Sequence, residues 1–357
     1  MTEAQDRRRA VFGVGIGASA LAENARDPAL QRAIQEDLLE DLTVHGRLVF
    51  SSEAELGDFV AAVRALPSSL AKAWEAVLSS RRVMVSVREP ETTPSLDEFI
   101  DPMRLESRTA PEIELVLLET EQAELLGVGD ADFSARSPGG LVEIGRLSTA
   151  SRTATVLAAR TALREPMREG TSRELEWQQR LEPLVEASSL VVIYDKYVGM
   201  QTARRYLYDY NSGDGLTWLV TRIGNHPGKR LRIITATSQP DRRGRAYDEQ
   251  VLAASFQLLH EATGRRVNLD PVFVADRETD PRGRVLHKFG HDRHVRFGER
   301  AALALGMGIQ TFANANFPET ITVARLPIAD AKSREERAIR TAHRAPRGGW
   351  MSWRPSE

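Results

Sequence analysis

The sequence contains no cysteine. That excludes disulfide staples, thiolate zinc sites and cysteine nucleophiles, and leaves burial of apolar surface to hold the fold together. Any metal would have to be held by histidine or carboxylate. The chain also lacks an apolar run approaching the roughly 20 residues that span a bilayer. Its first residues, Met1 to Arg9, are polar and lead into an apolar stretch too short for a signal peptide. There is no internal repeat, and a hydrophobic content of 41% with 27% charged residues carries no sign of disorder. These absences predict a soluble, cytoplasmic, globular protein.

A length of 357 residues exceeds one ordinary core and predicts two domains. The net charge of −2 conceals an asymmetry: residues 195–300 hold 19 Lys and Arg against 13 Asp and Glu, residues 331–357 hold 7 against 3, and the first half is correspondingly acidic. A polyanionic partner would therefore favour the second half. Most of its bases are arginine, whose planar fork suits phosphate, although a GC-rich genome gives the same bias.

Hydrophobic spacing predicts a strand over Ala10–Val14, a helix over Asp27–Leu42 closed by Gly46, and a strand over Leu48–Phe50. A capping box, Ser52 with Glu55, opens the next helix, and strands follow over Arg82–Val87 and Ile113–Leu118. Alternation of this kind predicts an α/β domain over residues 1–150, its role unassigned. Beyond a boundary region over Gly139–Arg173, the strongest strand of the chain is Leu190–Asp195. Helices over Trp218–Ile223 and Tyr247–Thr263 and strands over Leu231–Thr237 and Val272–Ala275 continue the alternation. An antiparallel pair, His294–Phe297 with Ala301–Ile309, and a strand over Ile321–Leu326 complete a second domain, residues 165–330. Residues 331–357 form a basic tail, expected to be a helix with a mobile end.

Three of the seven histidines, His287, His291 and His294, fall within eight residues. A metal site, a capped hairpin and phosphate chemistry all remain open. Alternation of side chains along a strand and the lack of an acidic cluster weigh against the metal, and no cofactor is expected. Cleaving a phosphodiester needs converging cations, a nucleophile and an acid. His291 is the available nucleophile, Arg293, Arg296, Lys288 and Lys196 are the donors, and Asp195 or Glu299 could fix the imidazole tautomer. Ligands of open α/β sheets gather beyond the carboxyl ends of strands, where Asp195 and Thr237-Ser238 fall. The alternative for Asp195 is a turn or a helix cap.

His291-Asp292-Arg293, followed by a hairpin and then Gly306-Met307-Gly308, resembles the phospholipase D superfamily, whose pattern is H-x-K-x4-D-x6-G-S-x-N. Closer still is its His-Asp-Arg variant, found in bacterial phage-defence proteins and in the C-terminal domain of MIT-containing, ESCRT-associated proteins. The end of the strand at Tyr194-Asp195-Lys196-Tyr197 also resembles the Asp-x-Tyr strand end of that domain. The resemblance implies a phospholipase-D-like α/β/α domain with a mixed sheet. It implies His291 as the residue that attacks phosphorus, Arg293 in place of the clamping lysine, and Glu299, after one extra residue, as the carboxylate. Met307 and Ile309 stand where the family has serine and asparagine. The implied activity is a metal-independent phosphodiesterase or nuclease of a defence or nucleic-acid-processing system. Because the chain has one copy of a motif that superfamily enzymes use twice, a homodimer is implied. The ESCRT-associated relative implies instead a non-catalytic module for nucleic acid or anionic phospholipid, and an adaptor that docks a partner protein of a defence complex is a third possibility.

Other motifs are weaker. Gly13-Val14-Gly15-Ile16-Gly17-Ala18 fits a dinucleotide fingerprint with Asp37 about 20 residues on, although that acid falls in a helix instead of ending a strand. Asp37, Asp41 and Glu114 could form a carboxylate nuclease centre of PIN type, but no aspartate ends the first strand. Arg242, Arg243 and Arg245 could hold a nucleic-acid backbone, and Trp350 and Trp353 beside Arg347 and Arg354 could stack on bases or a partner.

Overall fold

Apolar residues two apart face the same side of a strand, and in this chain both sides are apolar, so both sheets must be covered twice. The structure, a computed structural model, describes residues 9–23, 26–79, 83–87, 95–208, 214–238, 244–245, 247–279, 282 and 284–344. It divides into two units, Met1–Ala162 and Leu163–Glu357. Both are α/β with mixed sheets. Among the described residues no helix is long and apolar enough to cross a membrane.

The first unit runs β1 (Phe12–Ile16), α1 (Pro28–His45), β2 (Gly46–Phe50), α2 (Glu53–Ala65), α3 (Ser68–Ser79), β3 (Met84–Val87), α4 (Pro102–Thr109), β4 (Leu115–Leu118), α5 (Thr120–Leu125), β5 (Ser134–Arg136), β6 (Glu143–Arg146) and α6 (Ala154–Ala162). The sheet order is β3-β2-β1-β4-β6-β5, parallel except for β5. Leu48, Phe50, Leu115 and Leu117 pack with Leu42 of α1, Phe59 of α2 and Trp74 of α3. The alternate residues Val49, Val116 and Leu118 pack with Leu105 of α4 and Ala123 of α5 on the other face. Polar side chains set the helix starts: Asp27 accepts the Leu30 N–H at 3.1 Å with Pro28 in the first turn, and Ser52 accepts the Glu55 N–H at 3.1 Å. Glu55 reaches back to the N–H and hydroxyl of Ser51, one residue earlier than a regular capping box has it.

The second unit runs α7 (Arg173–Glu176), α8 (Glu182–Glu186), β7 (Leu190–Tyr194), α9 (Val198–Ala203), α10 (Gly215–Ile223), β8 (Arg230–Thr237), α11 (Glu249–Ala262), β9 (Asn268–Ala275), β10 (Arg277–Thr279), β11 (Val285–Lys288), β12 (His294–Phe297), β13 (Ala301–Leu305), β14 (Val323–Leu326) and α12 (Ile328–Arg344). Its main sheet has the order β14-β13-β12-β7-β8-β9; β7, β8 and β9 are parallel and the other three add antiparallel. Strand β10 pairs with β11 in a separate ribbon that the hydrophobic pattern does not announce. The edge strand β9 carries Pro271 opposite Ile233. One face, with Val192, Tyr194, Ile234 and Val272, packs on Ala338 and Ala342 of α12. The tail expected from residue 331 is thus, through Arg344, a helix that covers the sheet. On the other face Gly199 of α9 donates its N–H to Thr235 Oγ1 at 2.9 Å.

Residues two apart on β12, His294 and Arg296, also face α12, and both reach Glu335. Arg296 grips its carboxylate through Nε at 2.8 Å and through the terminal nitrogen at 2.6 Å, and His294 Nε2 lies 3.2 Å away. The His294 ring stacks on Tyr194 at 5.0 Å, and Tyr194 stacks on Phe289 at 4.7 Å. Burial alone would raise the Glu335 carboxyl, but the hydrogen bonds from Arg296 and His294 outweigh it and hold the group below its ordinary value of 4.5. A depressed carboxylate stabilises the fold above its unfolded-state value and loses that contribution as pH falls through the folded-state one. Replacing Glu335 by Gln leaves Arg296 buried without its counter-charge, and we expect a loss of about 3–5 kcal/mol in denaturant unfolding at neutral pH. The gap between wild type and variant should shrink below about pH 4; an equal gap at both pH values would contradict the account.

Candidate functional site

Because β13 and β7 both run antiparallel to β12, their carboxyl ends open on the same side as the loop that enters β12. Asp195, the first residue past β7, is buried there. Its Oδ1 accepts the Tyr197 N–H at 2.9 Å, closing the turn into α9, and its Oδ2 accepts the Ile309 N–H at 3.1 Å from the chain leaving β13. Burial pushes the Asp195 carboxyl up, and the N–H donors of Tyr197 and Ile309 and the charge of Arg293 pull it back. Gly308 passes so close that a Cβ would lie 2.1 Å from Asp195 Oδ2 and 2.6 Å from Arg293 Cδ, and its φ of +66° belongs to glycine. The apolar run expected to stay extended to Ile309 ends at Leu305 for this reason.

Arg293 approaches from the loop before β12. Its Nε is 4.0 Å from Asp195 Oδ1, its guanidinium lies 4.9 Å from the Tyr197 ring centroid, and among the described residues Nε is buried without a hydrogen-bond partner. His291 is exposed, and its Nδ1 lies 3.2 Å from the Tyr197 hydroxyl. Lys196 leans on the same ring at 5.6 Å and pairs with Asp276, past the end of β9, at 2.5 Å. An imidazole anchored through Nδ1 keeps Nε2 for a ligand. When Nδ1–H donates to the phenol oxygen, Nε2 holds the lone pair of a nucleophile; when the phenol donates, Nε2 carries a proton.

Asp195, Lys196, His291 and Arg293 are thus brought together, and Tyr197, to which sequence reasoning gave no role of its own, joins them. Glu299 is not among them. It sits in the β12–β13 turn, beyond the far end of β12, an end that is itself roughly 10 Å along the strand from His294, and its carboxylate takes Lys332 at 2.6 Å. Arg296, expected to bind phosphate, commits its guanidinium to Glu335 and to the Gly298 carbonyl at 2.5 Å. Strand alternation turns it to the α12 face, where the only signal was the buried pairing that a His-x-Arg strand requires. Lys288 is exposed on β11 opposite Arg277. Ile309 is buried and Met307 partly exposed. His287 belongs to β11; Arg242, Arg243, Arg347, Trp350, Trp353 and Arg354 lie outside the described residues.

No protein-family model and no curated protein matches this chain. The site therefore has to be read from its own chemistry.

In the first unit the glycine motif has a packing cause. A Cβ on Gly13 would meet the Glu112 carbonyl oxygen at 1.8 Å, one on Gly15 the Leu96 side chain at 2.7 Å, and one on Gly17 Asp97 Oδ1 at 2.1 Å. The Ser19 N–H and hydroxyl, where a phosphate would be cradled, donate to Asp97 at 3.2 and 2.7 Å. The acids of the weaker PIN-type alternative do not share a centre: Asp41 pairs with Arg160 through two bonds of 2.7 Å, Glu114 accepts the Gly13 N–H at 3.0 Å, and Asp37 is exposed. Among the described residues no group of three His, Asp or Glu could hold a metal ion.

Replacing Gly308 by Ala should cost about 1–3 kcal/mol through the forced left-handed backbone alone, seen as a lower unfolding temperature. It should also speed hydrogen exchange at the Ile309 and Tyr197 amides, because the new Cβ displaces the carboxylate they donate to. Unchanged exchange at both amides would refute the bridging of these amides by Asp195.

Proposed function

We propose that the second unit is a phospholipase-D-like domain that recognises phosphodiesters, and that it cleaves nucleic acid without a metal, with His291 as the nucleophile. The reading is carried by the pairing of an exposed imidazole, anchored through Nδ1, with an Arg293 guanidinium whose Nε lacks a hydrogen-bond partner among the described residues. A planar cation of this kind suits the equatorial oxygens of a phosphoryl group in transfer. In the proposed reaction, the Nε2 lone pair of His291 attacks phosphorus and the bond to the leaving oxygen breaks. That oxygen takes a proton from the imidazole of a second copy, which is the reason for a homodimer. Water then attacks the phosphohistidine, giving its proton to the imidazole of the second copy, the P–N bond breaks, and both imidazoles are regenerated. Tyr197 holds the ring, Arg293 clamps the phosphoryl oxygens, and Asp195 positions Tyr197 by accepting its N–H and Arg293 by its charge. The proposed setting is the cytoplasm, in a bacterial defence or nucleic-acid-processing system.

With purified full-length chain, cleavage of labelled single-stranded DNA or RNA should persist in a chelator and yield an acid-labile phosphohistidine on quenching. His291→Ala should lower the rate at least about 1000-fold, and Arg293→Gln about 100- to 1000-fold in kcat with little change in KM. Cleavage that survives His291→Ala, or that requires a divalent cation, sinks the proposal. A second reading, a binding module for nucleic acid or anionic phospholipid, is favoured by one observation: among the described residues Nδ1 of His291 meets a phenol and no carboxylate, so an imidazolium would gain no counter-charge from its anchor. Binding that survives His291→Ala in a protein without cleavage supports it. The adaptor reading, with a partner docked on the acidic first unit, predicts instead that this unit alone retains a protein partner.

A further inference from the structure

The two-stranded ribbon is pinned to the rim of the site. Asp276, directly before β10, holds Lys196 and accepts the Phe289 N–H through its carbonyl at 2.8 Å, and Phe289, directly after β11, stacks on Tyr194. Between these anchors Arg277 and Lys288 are cross-strand partners, so they share one face of the ribbon. Like charges directly opposite each other destabilise a strand pair, and here the clash stands uncompensated. Both residues are exposed, and among the described residues neither head group has a hydrogen-bond or ion-pair partner. Arg337 on α12 is exposed in the same way, three residues on from Arg334, which pairs with Asp292 beside His291 at 2.9 Å. Lys288 is three residues from His291, a chain reach of at most about 11 Å.

We infer that the ribbon, with Arg337, is a backbone clamp that extends the His291–Arg293 site along a nucleic-acid strand. A lone diester occupies only the Arg293 position and leaves three unpaired cations unmatched. A single strand, with a phosphate at every nucleotide, matches the set and relieves the repulsion between Arg277 and Lys288. The inference rests on the reading of His291 and Arg293 as a phosphodiester site, and it names the substrate as polymeric.

The test uses the full chain and a fluorescent oligothymidylate of about 20 nucleotides, with affinity measured by anisotropy across a salt series. A single-stranded contact contributes about 0.7 to the slope of log affinity against log salt. The double variant R277Q/K288Q should therefore flatten the slope by about 1.4 and weaken binding roughly tenfold at low salt, and R337Q should flatten it by about 0.7. All three positions are exposed, and an unchanged melting curve checks that the variants fold. Interaction with the dinucleotide thymidylyl-thymidine, too short to reach the ribbon, should be unaltered. An unchanged slope, an equal loss on the dinucleotide, or binding to phosphatidylserine vesicles in place of the oligonucleotide overturns the clamp. A flattened slope in a protein that cleaves nothing supports the clamp and counts against the nuclease chemistry alone.

Discussion

A carboxylate taken out of water has to be satisfied by whatever surrounds it, and around Asp195 that is backbone. Its two oxygens join the turn into α9 to the chain leaving β13, with Arg293 held 4.0 Å away. One side chain thereby fixes three segments that are far apart in sequence. Tyr197, whose amide it anchors, is also the residue whose hydroxyl meets His291, so the imidazole is positioned by Asp195 at one remove. The close passage of Gly308 follows from the same constraint. A buried carboxylate that must be satisfied leaves the backbone around it few other arrangements.

Much of the architecture is legible from period and punctuation. Strand β7 stands out in the pattern Leu190–Asp195 because it is buried on both faces, and α1 and α2 start where Asp27 and Ser52 can cap them. The ribbon is not legible: strands of three and four residues carry too few alternations to register. Ahead of β7 the chain forms α7, a π-helical turn over Trp177–Leu181 and α8 with Pro183 in its first turn, a subdivision that periodicity does not separate. In the site, His291 and Arg293 are found easily because they are neighbours in the chain. The contact of Tyr197 with His291, 94 residues apart, depends on sheet order. Arg296 and Glu299 mislead because nearness in sequence along a strand is distance in space, and because Glu335, the true partner of Arg296, comes 39 residues later.

The first unit teaches the converse. Its G-x-G-x-x-A string begins inside the first parallel strand and runs out of its end, and the glycines answer to Glu112, Leu96 and Asp97 of the same chain. Close approach is what glycine permits; the string does not say what approaches. Asp97 supplies the negative charge that a phosphate would have brought to Ser19, and the polar groups there are already paired.

Pro271 has a consequence for assembly. Strand β9 is the last of its sheet, and a proline within an edge strand withholds an outward N–H that an incoming strand would need. Growth of the sheet on that side, by a second copy or by an extended peptide, is blocked at its middle. At the opposite edge β14 offers only four residues. A second copy would therefore have to meet this unit through side chains, with a surface that can be specific in a way a shared row of backbone hydrogen bonds cannot.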